Sequence, residues 1–318
     1  MSARVVVTDQ SFGGVERERA AADAAGAGFA EHSCTDEAAT VEAVRGAAVA
    51  LVNFAPVTRA VLEAMAPGAT VIRYGIGVDN VDLDAAREVG VQVANVPDYG
   101  SDTVADHAAA CLLALLRKLP RYDAAVRERG WMSATELSPL PGFRSTTVGL
   151  IGTGRIGLAL HARLAPFGFT VIAHDPYADA AMLAERGIEA VDLPVLLERS
   201  HAVSLHAPLT EATRHLIDAA ALARMRPGAV LVNTARGGLV DTDALVDALA
   251  SGRLGGAALD VVDPEPLPEG SPLRSMDGVL LTPHAAFFSD DSIVDLQRLA
   301  SEEAARALAG EPLRCRVA

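Results

Sequence analysis

The sequence predicts an α/β fold made of two doubly wound domains, and three observations lead to this prediction. Short apolar runs rich in valine and isoleucine alternate with amphipathic, alanine-rich segments. Continuously apolar strands separated by helices indicate parallel sheets covered on both faces. The length of 318 residues exceeds that of one typical domain. The alternation also breaks near residue 100 and resumes near residue 146, which divides it into two series.

The first series contains four predicted strands: "RVVVTD" (4–9), "AVALVNF" (48–54), "TVIRYG" (70–75) and "VQVANV" (91–96). One long helix is predicted from Asp102 to Leu119. We expect Asp102 or Thr103 to cap it and Pro120 to end it. This helix separates the two series.

The second series contains six predicted strands: "TTVGLIG" (146–152), "TVIAHD" (170–175), "AVSLHAP" (202–208), "AVLVNTA" (229–235), "GAALDVV" (256–262) and "GVLLTPH" (278–284). An acidic helix then runs from about Asp290 to Ala309 and is free to return to the first domain. The predicted domains are therefore 1–100 with 290–318, and 101–289. A cleft between two such domains is a common place for a small-molecule site.

Charge and cysteine content exclude several classes of partner. A net charge of −14 repels phosphate backbones and anionic lipids, so neither a nucleic acid nor a membrane is an expected partner. Cys34, Cys111 and Cys315 are few, odd in number and far apart, which predicts reduced cytoplasmic thiols rather than disulfides or a metal site. No export signal is recognised at the N-terminus, and the apolar run 108–116 is too short to span a membrane.

The stretch "GLIGTGRIG" (149–157) matches a dinucleotide-binding fingerprint. Gly152, Gly154 and Gly157 lie in GxGxxG spacing between an apolar strand and a helical segment. There the glycines permit a tight turn, close approach of the backbone to a pyrophosphate, and packing of helix against strand. The helix N-terminus offers N–H groups to the anion, so the contacts expected from Arg155 and Ile156 are mainly backbone contacts.

The following strand ends in Asp175, 23 residues after Gly152. A carboxylate at this spacing accepts hydrogen bonds from the adenosine ribose hydroxyls and repels a 2′-phosphate. The sequence therefore favours NAD over NADP. The alternative interpretation is an ordinary glycine turn followed by an aspartate that caps the next turn before Pro176.

Three polar residues follow strands of the second series: Arg236, Glu265 and His284. Ligands of open α/β sheets bind outside the carboxyl ends of the strands, so we expect all three near the nicotinamide. Arg236 can hold a carboxylate bidentately, His284 can donate and accept a proton, and Glu265 can orient the imidazole. Reduction of a 2-keto acid requires these functions. Taken singly, the same residues fit a helix salt bridge, a solvated loop and a core histidine.

These motifs resemble those of the D-isomer-specific 2-hydroxyacid dehydrogenases over essentially the whole chain. The stretches that carry the resemblance are "GIGVDNVD" (75–82), "TVADHA" (103–108), "GLIGTGRIG" (149–157), "HDP" (174–176), "LHAPLTEATRHLI" (205–217), "NTARGG" (233–238), "ALDVVDPEP" (258–266) and "LTPHAA" (281–286). The resemblance implies a flavodoxin-like substrate domain and a Rossmann NAD-binding domain with a cleft between them. It also implies a homodimer, built largely on the helix that starts near Thr103.

The resemblance implies roles for individual residues as well. Arg236, Glu265 and His284 would be catalytic, with His284 as the acid/base and Glu265 as its partner. The backbone N–H groups of Ile76 and Gly77 would bind the substrate carboxylate. Asp260 and the backbone at Ala235 would hold the carboxamide of the cofactor. The other residues implied to line the cofactor are Thr103, His206, Ala207, Pro208, Thr213 and His284.

Two stretches, "IRYGIGVDN" (72–80) and "HAAFFSDDS" (284–292), are most similar to the branch that includes the C-terminal-binding-protein corepressors. In that branch an arginine at the position of Arg73 reaches the substrate carboxylate, and an aromatic residue walls the pocket. Phe287 stands where those corepressors carry tryptophan. Arg73 would therefore bind the substrate, at its carboxylate or at a second anionic group, or it would pair with one of the surplus carboxylates.

Two functions follow from these expectations. The first is an NAD-dependent reductase of a small 2-keto acid that yields a D-2-hydroxy acid. The second is an NADH-dependent scaffold with negligible turnover, like the corepressors. The resemblance assigns substrate choice to loops of the first domain, here "VNFAPVT" (52–58). The absence of lysine in this loop argues mildly against a phosphorylated substrate, although Arg73 or Arg59 could supply the positive charge instead.

Overall fold

The computed structural model describes residues 3–318, and its contacts divide the chain into two units. The first unit runs up to Gly100 and resumes at Phe288. The second unit is continuous from Ser101 to Phe287. Each unit is an α/β layer with its own parallel sheet.

The first unit contains five strands, all parallel, in the order β2-β1-β3-β4-β5. This is the flavodoxin-like order. Its strands are β1 (Arg4–Val7), β2 (Gly28–Glu31), β3 (Val49–Val52), β4 (Thr70–Arg73) and β5 (Gln92–Ala94), and its helices are α1 (Glu16–Ala24), α2 (Glu37–Val44), α3 (Arg59–Ala64), α4 (Leu83–Val89) and α12 (Asp290–Ala309).

The core of the first unit is built from its valine-rich strands. Val6, Val52, Val71 and Val93 are fully inaccessible to solvent. Burying a valine side chain contributes about 1.5–3 kcal/mol, so these strands supply much of the stability of the unit. The predicted C-terminal helix is confirmed as α12, and it packs on α1, β3 and β4.

The second unit contains seven parallel strands in the order β12-β11-β10-β9-β6-β7-β8. The chain switches direction across the sheet between β6 and β9, which is the topological switch point of a Rossmann fold. The strands are β6 (Thr147–Ile151), β7 (Thr170–His174), β8 (Ile188–Ala190), β9 (Ala202–Leu205), β10 (Ala229–Asn233), β11 (Leu254–Leu259) and β12 (Val279–Leu281), and the helices are α5 (Ser101–Leu116), α6 (Leu119–Arg129), α7 (Arg155–Leu164), α8 (Ala180–Glu185), α9 (Leu193–Arg199), α10 (Ala219–Arg224) and α11 (Thr242–Ala250).

The single helix predicted from Asp102 to Leu119 is wrong at both ends. Helix α5 begins at Ser101 and ends at Leu116, so Asp102 and Thr103 lie inside its first turn and not at its cap. Pro120 does not end this helix; it lies in the first turn of α6. A proline is well tolerated there because the first N–H groups of a helix have no partner within the helix. Lys118, with φ of 54°, makes the break between the two helices.

Ten of the twelve strands that the structure shows in residues 3–318 coincide with predicted strands, whereas β2 and β8 were not predicted. Both missed strands lie at sheet edges. Their sequences, "GFAE" and "IEA", are only partly buried. An edge strand needs no continuous apolar run, so these segments carried no recognisable pattern.

The described residues contain neither a candidate membrane-spanning helix nor a candidate metal site. No helix within residues 3–318 combines the length and the apolar character needed to cross a membrane. Over the same range, no three His, Cys, Asp or Glu side chains form a group that could hold a metal ion.

Candidate active site

The glycine motif forms the turn between β6 and α7. Gly152 has φ of 93°, and a Cβ there would lie 2.8 Å from the carbonyl carbon of His206. A Cβ on Gly157 would collide with the carbonyl oxygen of Gly152, so this glycine lets the helix sit on the turn. At Gly154 a Cβ would meet nothing within 4 Å, and no side chain caps α7, which begins at Arg155. An open helix N-terminus beside a glycine turn fits the pyrophosphate of a dinucleotide.

Asp175 follows β7 and bonds back to this turn. Its Oδ2 accepts hydrogen bonds from the N–H and the hydroxyl of Thr153, both at 2.8 Å, and its Oδ1 accepts one from the N–H of Tyr177 at 3.0 Å. Burial raises the pKa of Asp175, but these hydrogen bonds outweigh burial and hold the pKa below its ordinary value. The carboxylate is therefore ionised at neutral pH and is held against the turn that would carry the cofactor.

The turn after β9 contains His206, Ala207 and Pro208. Its backbone lies against Gly152. The His206 side chain makes a 2.9 Å hydrogen bond with the hydroxyl of Ser204, and burial lowers the pKa of His206 to about 4. Thr213 closes the following turn, since its hydroxyl donates to the carbonyl of Pro208 at 2.7 Å. The predicted cofactor-lining residues of this segment therefore form one structured wall beside the glycine turn.

Arg236 emerges from β10 through a turn that a buried asparagine holds. Asn233 is inaccessible to solvent. Its Oδ1 accepts from the N–H of Ala235 at 3.0 Å, and its Nδ2 donates to the carbonyl of Arg236 at 2.9 Å. The Arg236 guanidinium donates to the carbonyl of Ala235 at 2.7 Å. This role of Asn233 was not predicted, although a polar residue at the end of the apolar run "AVLVN" is a signal for it.

The glycine after Arg236 is required by the neighbouring chain. A Cβ on Gly237 would collide with the carbonyl of Val262, in the segment that follows β11. This close approach brings the Arg236 turn against the segment that leads to Glu265.

Asp260 directly follows β11 and organises the loop that carries His284. Its Oδ1 accepts hydrogen bonds from the Thr282 hydroxyl at 2.6 Å and from the N–H of Ala285 at 2.7 Å, and its Oδ2 accepts from the N–H of Ala286 at 3.0 Å. The carbonyl of Asp260 also accepts from the N–H of His284 at 2.8 Å. Hydrogen bonds to Asp260, mainly to its buried carboxylate, therefore hold the turn around His284 in place. The role of Asp260 toward a carboxamide stays a prediction.

His107, on α5, extends this network. Its Nε2 lies 3.1 Å from the Thr282 hydroxyl, whose only proton is directed to Asp260. His107 must therefore be the donor to Thr282. Neither His107 nor Thr282 is among the site residues predicted from the sequence.

His284 and Glu265 form a hydrogen-bonded pair. Nδ1 of His284 lies 2.8 Å from Oε1 of Glu265, and their side chains are 23% and 39% exposed. His284 has φ of 52°, a conformation that costs a non-glycine residue about 1–2 kcal/mol. Within the same unit, the pair borders a cavity of about 380 Å³ that Asp260, Pro266, Arg274 and Thr282 also line. The Phe287 ring lies edge-on to the imidazole, with centroids 6.3 Å apart.

The predicted substrate-binding residues of the first unit gather after β4. The Arg73 guanidinium packs against Gly75, whose φ of 128° and lack of Cβ make room for it. The carbonyl of Gly75 accepts from the N–H of Val96 at 3.0 Å, and the carbonyl of Ile76 accepts from the Asn95 side chain at 2.7 Å. Ile76 and Gly77 therefore belong to a loop that is held in place by the segment after β5.

The second unit contains a glycine turn, an ionised aspartate, and an imidazole paired with a carboxylate. Comparison with known proteins identifies the family to which the chain belongs. Residues 109–286 match the sequence profile of the NAD-binding domain of the D-isomer-specific 2-hydroxyacid dehydrogenases. The chain belongs to the D-isomer-specific 2-hydroxyacid dehydrogenase family.

Members of this family with similar sequences are named dehydrogenases and reductases. The chain is 42% identical to a D-3-phosphoglycerate dehydrogenase of Mycobacterium bovis over 274 residues, which cover 85% of this chain and 51% of the relative. It is 39% identical to a glyoxylate reductase of Korarchaeum cryptofilum over 249 residues, which cover 78% of this chain and 75% of the relative. The chain spans about half the length of the D-3-phosphoglycerate dehydrogenases it matches.

A solved structure supports the family's cofactor. The D-lactate dehydrogenase of Aquifex aeolicus, in complex with NAD and lactic acid, superposes with a TM-score of 0.87 and 28% identity, covering 96% of each chain. The predicted α/β fold and the predicted family are both confirmed.

Proposed function

We propose that this family member is an NAD-dependent oxidoreductase that interconverts a small 2-keto acid and a D-2-hydroxy acid. The observation that carries this proposal is the 2.8 Å hydrogen bond between His284 Nδ1 and Glu265 Oε1, in the unit that holds the glycine turn. An imidazole oriented by a carboxylate is a general acid/base. A scaffold without turnover has no need of it.

In the direction of reduction, the acid/base is His284. Since Nδ1 is bonded to a carboxylate, it carries the ring proton of the neutral imidazole, and Nε2 is the nitrogen that exchanges a proton with the substrate oxygen. Glu265 stabilises the imidazolium before that proton is transferred. Arg236 binds the substrate carboxylate bidentately through its guanidinium. When bound, NADH supplies the hydride that reduces the keto carbon.

The proposal includes a preference for NADH over NADPH. The ionised Asp175 supports it, because a carboxylate held against the glycine turn repels a 2′-phosphate. Gly152, Gly154, Arg155 and Ile156 would hold the pyrophosphate. The wall formed by residues 206–208, with Thr213, Thr103, Ala235 and Asp260, would line the rest of the cofactor.

We further infer that the first unit binds substrate and the second binds cofactor. In the first unit, Ile76 and Gly77 would bind the substrate carboxylate through their backbone, with Arg73 beside them. In the second unit, Phe287 would contact the substrate next to His284. The packing of Arg73 against Gly75 supports its assignment to the carboxylate rather than to a distant second anion.

We also infer a cytoplasmic homodimer. Support for the dimer comes from α6 and the two residues after it, where Leu119, Val126 and Trp131 are 56%, 36% and 94% exposed. Apolar side chains exposed together indicate a surface for a protein partner. The three free thiols support a reducing compartment.

The test of the proposed activity is oxidation of NADH with a panel of 2-keto acids, from glyoxylate and pyruvate to hydroxypyruvate and longer acids. The proposal expects turnover with at least one of them at saturating NADH. Binding of NADH without turnover of any keto acid would contradict it.

A further inference from the structure

The loop between β3 and α3, residues 53–58, binds a carboxylate from another segment of the same unit. The carboxylate of Asp9, which follows β1, accepts three successive backbone N–H groups of this loop. The donors are Asn53 at 3.0 Å, Phe54 at 2.6 Å and Ala55 at 3.1 Å. Successive N–H groups of this kind form an anion-binding nest. Here the nest is filled by the protein's own carboxylate.

The acceptors of the same loop are satisfied from within the first unit as well. Nδ2 of Asn80 donates to the carbonyls of Asn53 at 3.2 Å and of Ala55 at 2.8 Å. The side-chain amide of Asn53 donates to the hydroxyl of Ser11 at 3.2 Å. The N–H groups of residues 53–55 and the side-chain amide of Asn53 are therefore engaged in contacts within the unit.

Asn80 also ties this loop to the loop after β4. Besides its two side-chain bonds, its carbonyl accepts from the N–H of Val57 at 2.8 Å. Residues 53–57 therefore lie beside the loop of Ile76 and Gly77, at the carboxyl edge of neighbouring strands β3 and β4. Under the proposed function, the group attached to the keto carbon then lies next to residues 53–57, because the carboxylate lies at 76–77.

What the loop presents outward is an aromatic ring. Phe54 is 49% exposed, whereas Ala55 and Val57 are each 1% exposed. Arg59, the first residue of α3, is engaged with carboxylates of its own unit, at 2.5 Å from Glu88 and 3.9 Å from Glu63. The loop itself contains no Lys or Arg between Asn53 and Thr58.

We infer that residues 53–58 select 2-keto acids whose side chain is apolar and uncharged, with Phe54 as the contacting group, and that they discriminate against phosphorylated acids. This inference rests on the proposed function and names its substrate class. An apolar side chain gains free energy by leaving water against the Phe54 ring. A phosphate would lie near the negative charge of Asp9, which already occupies the N–H groups of residues 53–55, and would lose its hydration.

The substrate class inferred for this chain differs from the substrate in the name of its relatives, the D-3-phosphoglycerate dehydrogenases, to one of which it is 42% identical. A site built to hydrogen-bond one group rejects analogues without it strongly, and an apolar site rejects a charged group because the charge loses its solvation. An overall identity of 42% therefore does not by itself transfer the substrate of a relative to this chain.

The experiment compares kcat/KM, at saturating NADH, for 4-methyl-2-oxopentanoate and 3-phosphonooxypyruvate, with glyoxylate as the acid that has no side chain. We expect the apolar acid to be used at least about tenfold better than the phosphorylated one. Phe54→Ala should lower kcat/KM for the apolar acid about tenfold and for glyoxylate by less than about twofold. Phe54→Arg should shift the preference toward the phosphorylated acid.

The control is Phe167→Ala, which removes another exposed aromatic ring, 42% exposed, from the turn that precedes β7. It should leave the ratio of the two acids unchanged. A preference of the wild-type enzyme for 3-phosphonooxypyruvate, or an unchanged ratio in Phe54→Ala, would overturn the inference and leave the proposed activity standing.

A thermal-shift assay of the NADH-loaded protein tests the selectivity for apolar acids separately from the proposed dehydrogenase activity. Stabilisation by 4-methyl-2-oxopentanoate, without turnover of any acid, would contradict the proposed activity and support the selectivity. No turnover together with no selective stabilisation would overturn both.

Discussion

Oε1 of Glu265 lies 2.8 Å from Nδ1 of His284, and this contact determines which ring nitrogen can serve the reaction. A carboxylate at Nδ1 holds the imidazole in one tautomer and stabilises its protonated form. Acid/base function then falls to Nε2. The pair is held by two separate segments, one after β11 and one after β12, so its geometry depends on both.

The first prediction concerns Glu265→Gln. The amide keeps the shape of the side chain but removes the charge that favours the imidazolium, so we expect kcat to fall about 10- to 100-fold. The KM for NADH should change little. Steady-state kinetics across pH 5–9 will measure both, and a wild-type kcat with an unchanged pH profile would show that Glu265 does not act through His284.

The second prediction concerns Asp260→Asn. An amide offers one acceptor oxygen in place of two, so the N–H of Ala285 or of Ala286 loses its partner. Leaving a buried donor unsatisfied costs about 1–3 kcal/mol, and the strained φ of His284 loses its support. We expect a lower Tm together with a kcat reduced by at least about tenfold. A lower Tm with normal kcat would mean that Asp260 stabilises the fold without positioning His284.

The third prediction concerns coenzyme choice. Asp175→Ala removes the charge that repels a 2′-phosphate, so the ratio of kcat/KM for NADPH to that for NADH should rise by about tenfold or more. Asp179→Ala is the matched control, because Asp179 is a nearby carboxylate that caps α8. The control should leave the ratio of kcat/KM for NADPH to that for NADH unchanged. An equal change of this ratio in both variants would contradict the role proposed for Asp175.

The fourth prediction concerns pH and stability in the absence of NADH. Burial lowers the pKa of His206 to about 4, whereas in the unfolded chain it titrates near 6.5. Between these values the unfolded chain binds the proton and the folded chain does not, so the free energy of unfolding falls as the pH drops from about 6.5 to about 4. The loss approaches about 3 kcal/mol at the lower end.

This contribution is measured with His206→Gln, which keeps a donor for Ser204 but does not titrate. Urea unfolding at pH 7, 6, 5 and 4 should show a shallower loss of stability in the variant than in the wild type. His32→Gln, at an exposed position, is the control and should follow the wild type. Parallel curves for the wild type and His206→Gln would contradict the assignment.

The elements that the sequence predicts well are those whose pattern is local. Strand β10 is buried along its whole length and β1 at its three valines, so a continuous apolar run identifies both. The glycine motif was recognisable because Gly152 and Gly157 answer local steric demands, as the close approaches of their backbone neighbours demonstrate. The edge strand β2 and the break at Lys118 carry no such pattern.

The charged residues of the site could be predicted from the sequence, but the residues that hold the surrounding backbone in place could not. Arg236, Glu265 and His284 follow strands and carry reactive groups, so they stand out in the sequence. Asn233 acts only by holding the backbone around Arg236, and Asp9 only by filling the amide nest of residues 53–55. Such roles depend on which strand ends are neighbours in the sheet, and sequence spacing does not contain that information.

The most direct test of the account is His284→Asn, followed by NADH oxidation with the best keto acid and by NADH binding through fluorescence. The central claim is that this imidazole transfers the proton and does not hold the pyrophosphate. We expect the dissociation constant for NADH to stay within about threefold of wild type while kcat falls at least about 100-fold. A variant that binds NADH normally and turns over at the wild-type rate would contradict it.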